Sequence, residues 1–373
     1  MSLCWALEVR ARTKLSELDV TLRRCCCFGW LVDLLLDTLE ASCDLFEFWA
    51  RGSCCRLMKL PSPTLCGDFN ADTVALLDTF IDMAELPLPY FAPPKDLPRC
   101  LPNTAEIELS EVISKSSGRK VVRVDSHYVV KFGPAVDLLE GRNILFVRQH
   151  TSIAIPRVYA IYSVPNADSK AINYIVMENV AGDTLASWWP ALCMSQKEVI
   201  SAKLNVFCSQ LRSLPSPGYF GSLERRPLLD PILWTDDSTC SGPFESEAAL
   251  NEAMVRKYIY NGLPTHKGTF YRTAFPAVFS GHPPVFTHGD LQRKNILIKK
   301  TIGSGSGSVD DFTVVIVDWE FSGWYPSYWE FATAMSAVGR WDDDWHEWVR
   351  EILSDWYLNE YAWIQMLRQE LWS

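Results

Sequence analysis

The sequence predicts an α+β protein in which a β-rich part precedes a mainly helical part. Between residues 121 and 180, short runs rich in Val, Ile and Tyr surround a single stretch with helical spacing. Beyond Gly182 helical periodicity dominates, and β-type runs return only between Pro284 and Trp319. With 373 residues, of which 48% are hydrophobic and 21% charged, the chain can bury a large core. We therefore expect a globular protein.

Residues 1–105 are predicted to form an N-terminal extension, whose function the sequence does not indicate. Nine of the twelve cysteines lie in the first 100 residues, within and after a stretch of helical character, and none lies beyond Ser280. A disulfide framework would not spare the core of the protein, so we expect reduced thiols and a cytoplasmic location. Prolines crowd the stretch from Pro87 to Pro102, which predicts a linker or an extended wrap.

The charge balance and the N-terminal sequence exclude several classes of partner. A formal net charge of −10 argues against a general affinity for nucleic acid or for an anionic membrane. The first residues, "MSLCWALEVRARTKL", carry an acid and arginines where a secretory signal needs an apolar segment. The run "CCCFGWLVDLLLDTL" is interrupted by Asp33 and Asp37 and is too short to span a bilayer. No membrane partner is therefore expected.

The β-rich unit is predicted to span residues 106–180. The segment "VVRVDSHYVVKFG" predicts a hairpin, with strands from Val121 to Val124 and from Tyr128 to Phe132. The segment "AVDLLEGRNILFVRQH" has helical spacing, and "IAIPRVYAIYSV" and "NYIVMENV" again have β-rich composition. The predicted order is strand, strand, helix, strand, strand.

The mainly helical unit is predicted to span residues 181–373. Helical periodicity is clear in "EVISAKLNVFCSQLRSL", in "ESEAALNEAMVRKYIY" and in the tryptophan-rich tail. The exceptions are the β-type runs "VFTH", "NILIKK" and "FTVVIVDW", with residues 303–308, "GSGSGS", as a flexible hairpin loop between the last two. We expect this unit to carry a catalytic hairpin, and we expect most of its tryptophans to pack in the core.

The stretch "VFTHGDLQRKNILI" places an unusual number of polar residues between two apolar runs. His288-Gly289-Asp290 follows one predicted strand and Asn295 precedes another, so the polar residues lie on a loop that rigid strands hold. Asp290 and Asn295 are five positions apart, and a compact loop can turn both side chains toward one point. Asp290 is a base or a negative charge, and Asn295 is a neutral oxygen ligand.

A second acid follows on the next predicted strand. The run "FTVVIVD" ends in Asp318, and a carboxylate at the end of a buried strand is costly unless it is hydrogen-bonded or binds a metal. Asp318 with Asn295 would form a site of hard oxygen ligands suited to Mg²⁺, and Asp290 would stand beside it as a proton acceptor. Phosphoryl transfer needs this combination.

"HGDLQRKN", followed by a strand and "VDWE", resembles the catalytic core of the aminoglycoside phosphotransferase (APH) family, a group of small-molecule kinases with a two-lobed protein-kinase-like fold. By this resemblance Asp290 matches the catalytic base, Asn295 a magnesium ligand and Asp318 the principal magnesium ligand. Gly289 in place of Arg, and Trp319-Glu320 in place of Phe-Gly, favour the small-molecule branch over the protein kinases.

The resemblance covers about residues 106–356 and implies an ATP site. Lys131 matches the lysine that contacts the α- and β-phosphates, and Glu140 resembles its ion-pair partner. The segment 177–180, including Met177, Glu178 and Val180, matches the linker between the lobes that would bind adenine through its backbone. The expected phosphate loop, "EVISKSSGRKVVRV", contains Gly118 but no G-x-G-x-x-G pattern. The segment 323–331, "GWYPSYWEF", resembles fungal members of the family.

Other polar residues near the site have a structural interpretation beside a functional one. His288 is expected to buttress the loop by hydrogen bonding. Arg293 and Lys294 could balance the charge of the transferred phosphate or could be exposed loop cations. Residues 342–344, "DDD", could form a metal or cationic-substrate patch, but acids also favour helix N-termini, which makes a solvated helix start the better interpretation.

The sequence thus predicts an enzyme that uses ATP and Mg²⁺ to phosphorylate a hydroxyl of a small molecule. The identity of the acceptor, the choice between ATP and GTP and the oligomeric state stay open. The alternative is a kinase-like protein that binds nucleotide without catalysis, which the glycine-poor phosphate loop leaves open. A protein kinase is disfavoured because no A-P-E element follows Asp318 and no Arg precedes Asp290.

Overall fold

The computed structural model describes residues 87–165, 171–235, 237–301, 311–339 and 341–372. The helical character expected for residues 1 to about 60 and the loop expected at residues 303–308 lie outside the described residues. Within them, no helix has both the length and the apolar character needed to cross a membrane. All four described cysteines are free thiols: Cys100, Cys193, Cys208 and Cys240.

The N-terminal lobe is built on a six-stranded sheet in which every pair of neighbours is antiparallel. Its strands are β1 (Tyr90–Phe91), β2 (Glu111–Ser116), β3 (Arg119–Val124), β4 (Tyr128–Gly133), β5 (Val158–Pro165) and β6 (Ala171–Glu178). Their spatial order is β1-β5-β6-β4-β3-β2. The predicted hairpin is present as β3 and β4, and the proline-rich stretch supplies β1, which pairs with β5 at the edge of the sheet.

Two helices accompany this sheet, α1 (Thr104–Leu109) and α2 (Leu139–His150). Asn103 and Glu106 form a capping box at the start of α1, which satisfies backbone N–H groups that the first turn leaves free. Helix α2 is the one predicted between the two pairs of strands. It buries Ile144 and Val147 in a core shared with the C-terminal lobe, while Val122 and Tyr128 belong to a separate core on the sheet's other side.

The C-terminal lobe is mainly helical, as predicted. Its helices are α3 (Leu185–Trp188), α4 (Met194–Arg212), α5 (Glu247–Tyr260), α6 (Thr265–Val278), α7 (Trp329–Ser336), α8 (Trp345–Leu353) and α9 (Leu358–Leu371). Among the described residues, five tryptophans are fully buried, which confirms for them the expected packing role: Trp189, Trp319, Trp324, Trp329 and Trp345. The two-lobed, kinase-like α+β fold predicted from the sequence is therefore confirmed.

Two small sheets hold the polar loop of the C-terminal lobe, and one of them contains the hairpin predicted for "NILIKK" and "FTVVIVDW". Strands β7 (Asp183–Thr184), β9 (Ile296–Thr301) and β10 (Asp311–Ile316) form one sheet, in the order β10-β9-β7. Strand β8 (Pro284–Thr287) instead pairs with β11 (Gly323–Pro326). The strands on either side of Asp290 thus do not form a hairpin with each other. The hairpin is β9–β10, and its two strands bring Asn295 and Asp318 to the same end because they pair in register.

Candidate active site

A cavity of about 730 Å³ lies between the N-terminal sheet and the end of the β9–β10 hairpin. It is lined by seven of the predicted site residues: Lys131, Glu140, Met177, Glu178, Val180, Asn295 and Asp318. Two predicted residues are not part of its lining in the described chain. Gly118 lies in the β2–β3 turn with its carbonyl directed to the Ala135 N–H, and Asp290 lies behind Asn295.

Lys131 is the centre of the charged wall of this cavity. It lies on β4, opposite Val121 of β3 and Ile175 of β6, and only 10% of its side chain is exposed. Its Nζ lies 2.7 Å from Glu140 Oε2, 2.9 Å from Asp318 Oδ1 and 3.0 Å from Glu320 Oε2. One ammonium group therefore joins a strand and a helix of the N-terminal lobe to the segment after β10.

These contacts change the acid–base properties of the cluster. Burial disfavours the charged form of Lys131, but the three carboxylates outweigh it and raise the pKa of the ammonium group. Burial raises the pKa of Glu140 to about 7 against the opposing effect of Lys131, and the negative charges of Asp318 and Glu320 add to that rise. Burial also acts on Asp318, but the nearby Lys131 outweighs it and holds its pKa below the usual value. Asp318 is therefore ionised at neutral pH.

The three carboxylates around Lys131 have the spacing of a metal site, with ligand oxygens within 4.8 Å of one another. The ammonium nitrogen of Lys131 contacts all three, so this position already holds a cation. A divalent ion placed there would face the lysine charge at contact distance.

Asp290 and Asn295 are joined directly, as the D-x-x-x-x-N spacing predicts for a compact loop. Asn295 Nδ2 donates to the Asp290 carbonyl oxygen at 2.9 Å and to its Oδ2 at 2.8 Å. Gln292 Nε2 donates to the other carboxylate oxygen, and Lys294 Nζ lies 3.5 Å from Oδ2. Since the amide nitrogen of Asn295 is used for Asp290, its Oδ1 is the atom left to serve as an oxygen ligand.

His288 and Glu330 support this loop from inside the protein. His288 is buried; its Nε2 lies 3.1 Å from the Val317 carbonyl oxygen, and its Nδ1 lies 3.2 Å from the Asp290 amide nitrogen. Glu330, at the start of α7, accepts the backbone N–H groups of His288 at 2.6 Å and Gly289 at 3.2 Å. These contacts agree with the structural role expected for His288, and they add Glu330, which the sequence analysis did not identify.

Gly289 and Asp318 both have a left-handed backbone. Gly289 has φ of 84°, and a Cβ there would lie 2.7 Å from the Phe321 carbonyl oxygen, so no larger residue fits without a shift of the loop. Asp318 has φ of 68°, a conformation that costs free energy for a residue with a side chain. The loops that carry the two key acids are thus held in a defined geometry by the surrounding packing.

The two loop cations differ in their surroundings. Arg293 Nη1 lies 2.6 Å from Asp343 Oδ2, and its guanidinium lies 5.7 Å and 5.4 Å from the ring centroids of Trp189 and Trp345. Arg293 is therefore a packing residue rather than a free cation for phosphate. Lys294 is 58% exposed and lines the cavity, so it alone of this pair is available to a ligand there.

Residues 342–344 do not form an isolated acidic patch. Asp344 accepts from Trp189 Nε1 at 3.0 Å and Trp348 Nε1 at 2.9 Å, and Lys197 Nζ lies 2.8 Å from both of its carboxylate oxygens. Burial acts against ionisation of Asp344, but these donors prevail and lower its pKa to about 2. Asp344 is an anchor for α4 and α8, which is more than the solvated helix start expected from the sequence.

Arg119 joins the Lys131 cluster through Glu320. Arg119, the first residue of β3, donates from Nη1 to Glu320 Oε1 at 3.1 Å and Oε2 at 2.9 Å. Glu320 also accepts from Lys131, so it contacts both cations. The sequence analysis quoted Glu320 only as a departure from the protein-kinase pattern and did not single out Arg119. The only available signal was the position of Arg119 beside Gly118 in the expected phosphate loop.

A family model described as "Phosphotransferase enzyme family" (APH) matches residues 108–367. Among curated proteins, none matches this chain significantly. The chain is similar to a solved structure of the GDP complex of wild-type aminoglycoside 2'-phosphotransferase-IIIa, with 16% identity over 71% of this chain and 81% of that one, and a TM-score of 0.42.

Two other solved structures give comparable values. A streptomycin–ATP ternary complex of APH(2")-IIa is 16% identical over 72% of this chain and 84% of that one, with a TM-score of 0.41. A thermostable mutant of aminoglycoside phosphotransferase APH(4)-Ia is 14% identical over 70% of this chain and 93% of that one, also with a TM-score of 0.41.

Proposed function

Because the chain belongs to the phosphotransferase enzyme family (APH), we propose that it transfers the γ-phosphoryl group of ATP to a hydroxyl group of a small molecule. The observation that carries the proposal is the convergence on one cavity of Lys131, paired with Glu140 and Asp318, and of Asn295, paired with Asp290. A cation for phosphate, an ionised oxygen ligand and a carboxylate base are the groups that this reaction requires.

The nucleotide would occupy the cavity along strands β3, β4 and β6. Met177 lies beside Val129 in the sheet, two residues from Lys131, so the adenine end and the phosphate end of the site follow the direction of β4. The carboxylate of Glu178 accepts the Arg157 N–H at 3.1 Å, and the backbone N–H groups of Glu178 and Asn179 donate to the Arg157 and His127 carbonyl oxygens. The adenine contacts would therefore come from the other backbone groups of residues 177–180. We assign nucleotide binding to residues 106–180, with Val180 at the cavity wall, and the catalytic loop to residues 181–373.

Mg²⁺ fits the donor set that Asp318 and Asn295 present. Asp318 is ionised, its side chain is 34% exposed, and it lines the cavity together with Asn295. A carboxylate and an amide oxygen are hard ligands, and phosphate oxygens and water would complete the coordination that Mg²⁺ prefers. When bound there, the ion would neutralise charge on the β- and γ-phosphates.

Asp290 would receive the proton of the acceptor hydroxyl. As the hydroxyl oxygen forms its bond to the γ-phosphorus, the bond from that phosphorus to the β-phosphate oxygen breaks, ADP leaves, and the hydroxyl proton passes to the Asp290 carboxylate. Asn295 and Gln292 hold this carboxylate by hydrogen bonds, and Lys294 lies beside it at the cavity wall. Positioning and charge neutralisation would supply most of the rate enhancement.

The decisive experiment replaces Asp290 by Asn and measures ATP binding and phosphoryl transfer separately. A panel of hydroxylated amines, sugars, amino acids and secondary metabolites is first screened for ATP consumption by the wild-type protein. With a substrate found, Asp290→Asn should reduce turnover at least about a thousandfold while changing the Kd for ATP less than about threefold. Asp311→Asn, which removes an exposed acid at the far end of β10, is the matched control and should retain turnover.

Two results would contradict the proposal. If Asp290→Asn turns over the substrate at the wild-type rate, Asp290 is not the base. If the wild-type protein binds ATP and Mg²⁺ but phosphorylates nothing in the panel, a nucleotide-binding protein without catalysis becomes the better conclusion.

A further inference from the structure

The tip of the β2–β3 hairpin lies where a phosphate loop is expected, and the carbonyl group of its one glycine is bonded to the segment after β4. The Gly118 carbonyl oxygen accepts the Ala135 N–H at 3.0 Å, and β4 approaches so closely that a Cβ at Gly133 would lie 2.1 Å from that oxygen. The turn is thus folded against the end of β4. A glycine-rich loop binds phosphate through free backbone N–H groups, and this turn has only one glycine to offer.

The side chain of Arg119 is in a position to bind the phosphates instead. Strand residues alternate between the two faces of a sheet, and Arg119, Val121 and Arg123 line the cavity while Val122 and Val124 face the opposite core. Val121 lies opposite Lys131, so Arg119 is one step of about 7 Å beyond the lysine, away from the adenine end.

The present partner of Arg119 is exchangeable. Arg119 Nε is held by the Ala135 carbonyl oxygen at 2.8 Å, which fixes the root of the guanidinium, and Nη1 donates to both oxygens of Glu320. The side chain of Arg119 is 38% exposed, so its terminal nitrogens can change partner without burial of a new charge. The planar guanidinium that now binds a carboxylate can bind a phosphate group with the same fork of N–H donors.

The charge balance of the cluster favours such an exchange. Three carboxylates, Glu140, Asp318 and Glu320, share the two cations Lys131 and Arg119. A triphosphate that enters beside three carboxylates is repelled unless a cation is released to it. Lys131 is buried among all three acids, whereas Arg119 has Glu320 as its only ion-pair partner among the described residues.

We propose that Arg119 is a second phosphate-binding cation of the nucleotide site, and that the phosphate chain of the nucleotide displaces Glu320 as its partner. This inference depends on the proposed function, because it concerns the same nucleotide. It assigns to Arg119 the phosphate contacts that the glycine-poor turn does not supply, and to Glu320 the role of a carboxylate that holds the arginine in place and competes with the phosphates.

The test measures binding by calorimetry without acceptor, so that no turnover is involved. ATP and AMP are titrated in EDTA, which keeps a metal from bridging Glu320 to the nucleotide. Arg119→Met should weaken ATP at least about tenfold while changing AMP less than about twofold, because the two ligands differ only in the β- and γ-phosphates. Lys120→Met removes a cation from the next residue of β3, whose Nζ lies over Phe132 on the opposite face, and should leave both affinities unchanged.

Glu320→Gln provides the second arm. Loss of the competing charge should tighten ATP binding about two- to fivefold, and this gain should vanish in the Arg119→Met background.

Equal loss of ATP and AMP affinity in Arg119→Met would indicate a structural role for the arginine and overturn the inference. So would ATP binding that depends on Lys131 but not on Arg119, a result that leaves the proposed function standing. If wild-type protein binds ATP neither in EDTA nor with Mg²⁺, the proposed function itself fails.

Discussion

His288 and Val317 connect the two acidic loops of the site: Nε2 of the imidazole donates to the Val317 carbonyl oxygen at 3.1 Å, directly before Asp318. A carbonyl oxygen only accepts, so the proton lies on Nε2. This leaves Nδ1 to accept the Asp290 N–H at 3.2 Å. The neutral ring thus spans the loop after β8 and the end of β10, which otherwise belong to different sheets.

Replacement of His288 by Phe should separate this bracing role from catalysis. Phe keeps the ring against Trp319, whose centroid lies 4.7 Å from that of His288, but removes both hydrogen bonds. Buried backbone groups left without partners cost about 1–3 kcal/mol, so the free energy of unfolding should fall by that amount. Because Asp290 and Asp318 lose their fixed spacing, kcat should fall at least about tenfold.

Denaturant unfolding and steady-state kinetics check this prediction. His266→Phe, on α6 and exposed, serves as the control. Unchanged stability together with a complete loss of turnover would show that His288 takes part in the chemistry instead of bracing the loops.

Asp344 should matter for stability alone. Asp344→Ala removes the acceptor of two indole N–H groups and the partner of Lys197, so we expect the free energy of unfolding to fall by about 1–3 kcal/mol with no change in ATP affinity. Its pKa of about 2 lies below the usual 3.8, so its stabilising contribution is present above that value and is lost as pH falls toward 2.

The difference in stability between wild type and Asp344→Ala should therefore shrink between pH 4 and pH 2, as followed by urea unfolding at each pH. The neighbouring Asp342→Ala, at an exposed position, is the control and should show little effect. An equal effect of the two substitutions would mean that Asp344 acts only as a helix-start charge.

Local features of the chain were predictable because they depend on neighbours in sequence. Side chains repeat every two residues along a strand and about every 3.6 residues along a helix, so a short stretch of sequence is enough to reveal either pattern. Hairpin β3–β4 and helix α2 were predicted in this way. The spacing of Asp290 and Asn295 likewise fits one compact loop. Asp318 could be assigned because it ends a recognisable β-type run, and Lys131 because the family resemblance places a lysine on this strand.

The remaining features depend on contacts between distant residues. Arg119 and Glu320 are 201 residues apart, and no local pattern shows that the β2–β3 turn reaches the segment after β10. The partner of β8 was not predicted either: the composition of a strand indicates that it pairs, but the pairing with β11 depends on the whole lobe. The sequence shows Glu330 as an ordinary helix acid, and only the structure shows that its carboxylate accepts the N–H groups of His288 and Gly289.

Glu140 should make the stability of the protein depend on pH near neutrality. Its carboxyl group is 3% exposed, and burial raises its pKa from 4.5 to about 7 in the folded protein. Between these values the folded state binds a proton that the unfolded state has released, so the stabilising contribution is complete below pH 4.5 and is lost as pH rises through 7. The slope for one proton can reach about 1.4 kcal/mol per pH unit.

Glu140→Gln removes this titration while retaining a side chain of the same shape. The free energy of unfolding of wild type, relative to the variant, should therefore decline between pH 5 and pH 8. Subtracting the value of one protein from that of the other removes the contribution of all other titrating groups, which the two proteins share. Glu198→Gln, at an exposed position on α4, removes one carboxylate without burial and should show no such trend. The opposite result would be free energies of unfolding of wild type and Glu140→Gln that differ by the same amount at every pH in this range. That result would mean that Lys131 keeps Glu140 ionised throughout and that the raised pKa of Glu140 is wrong.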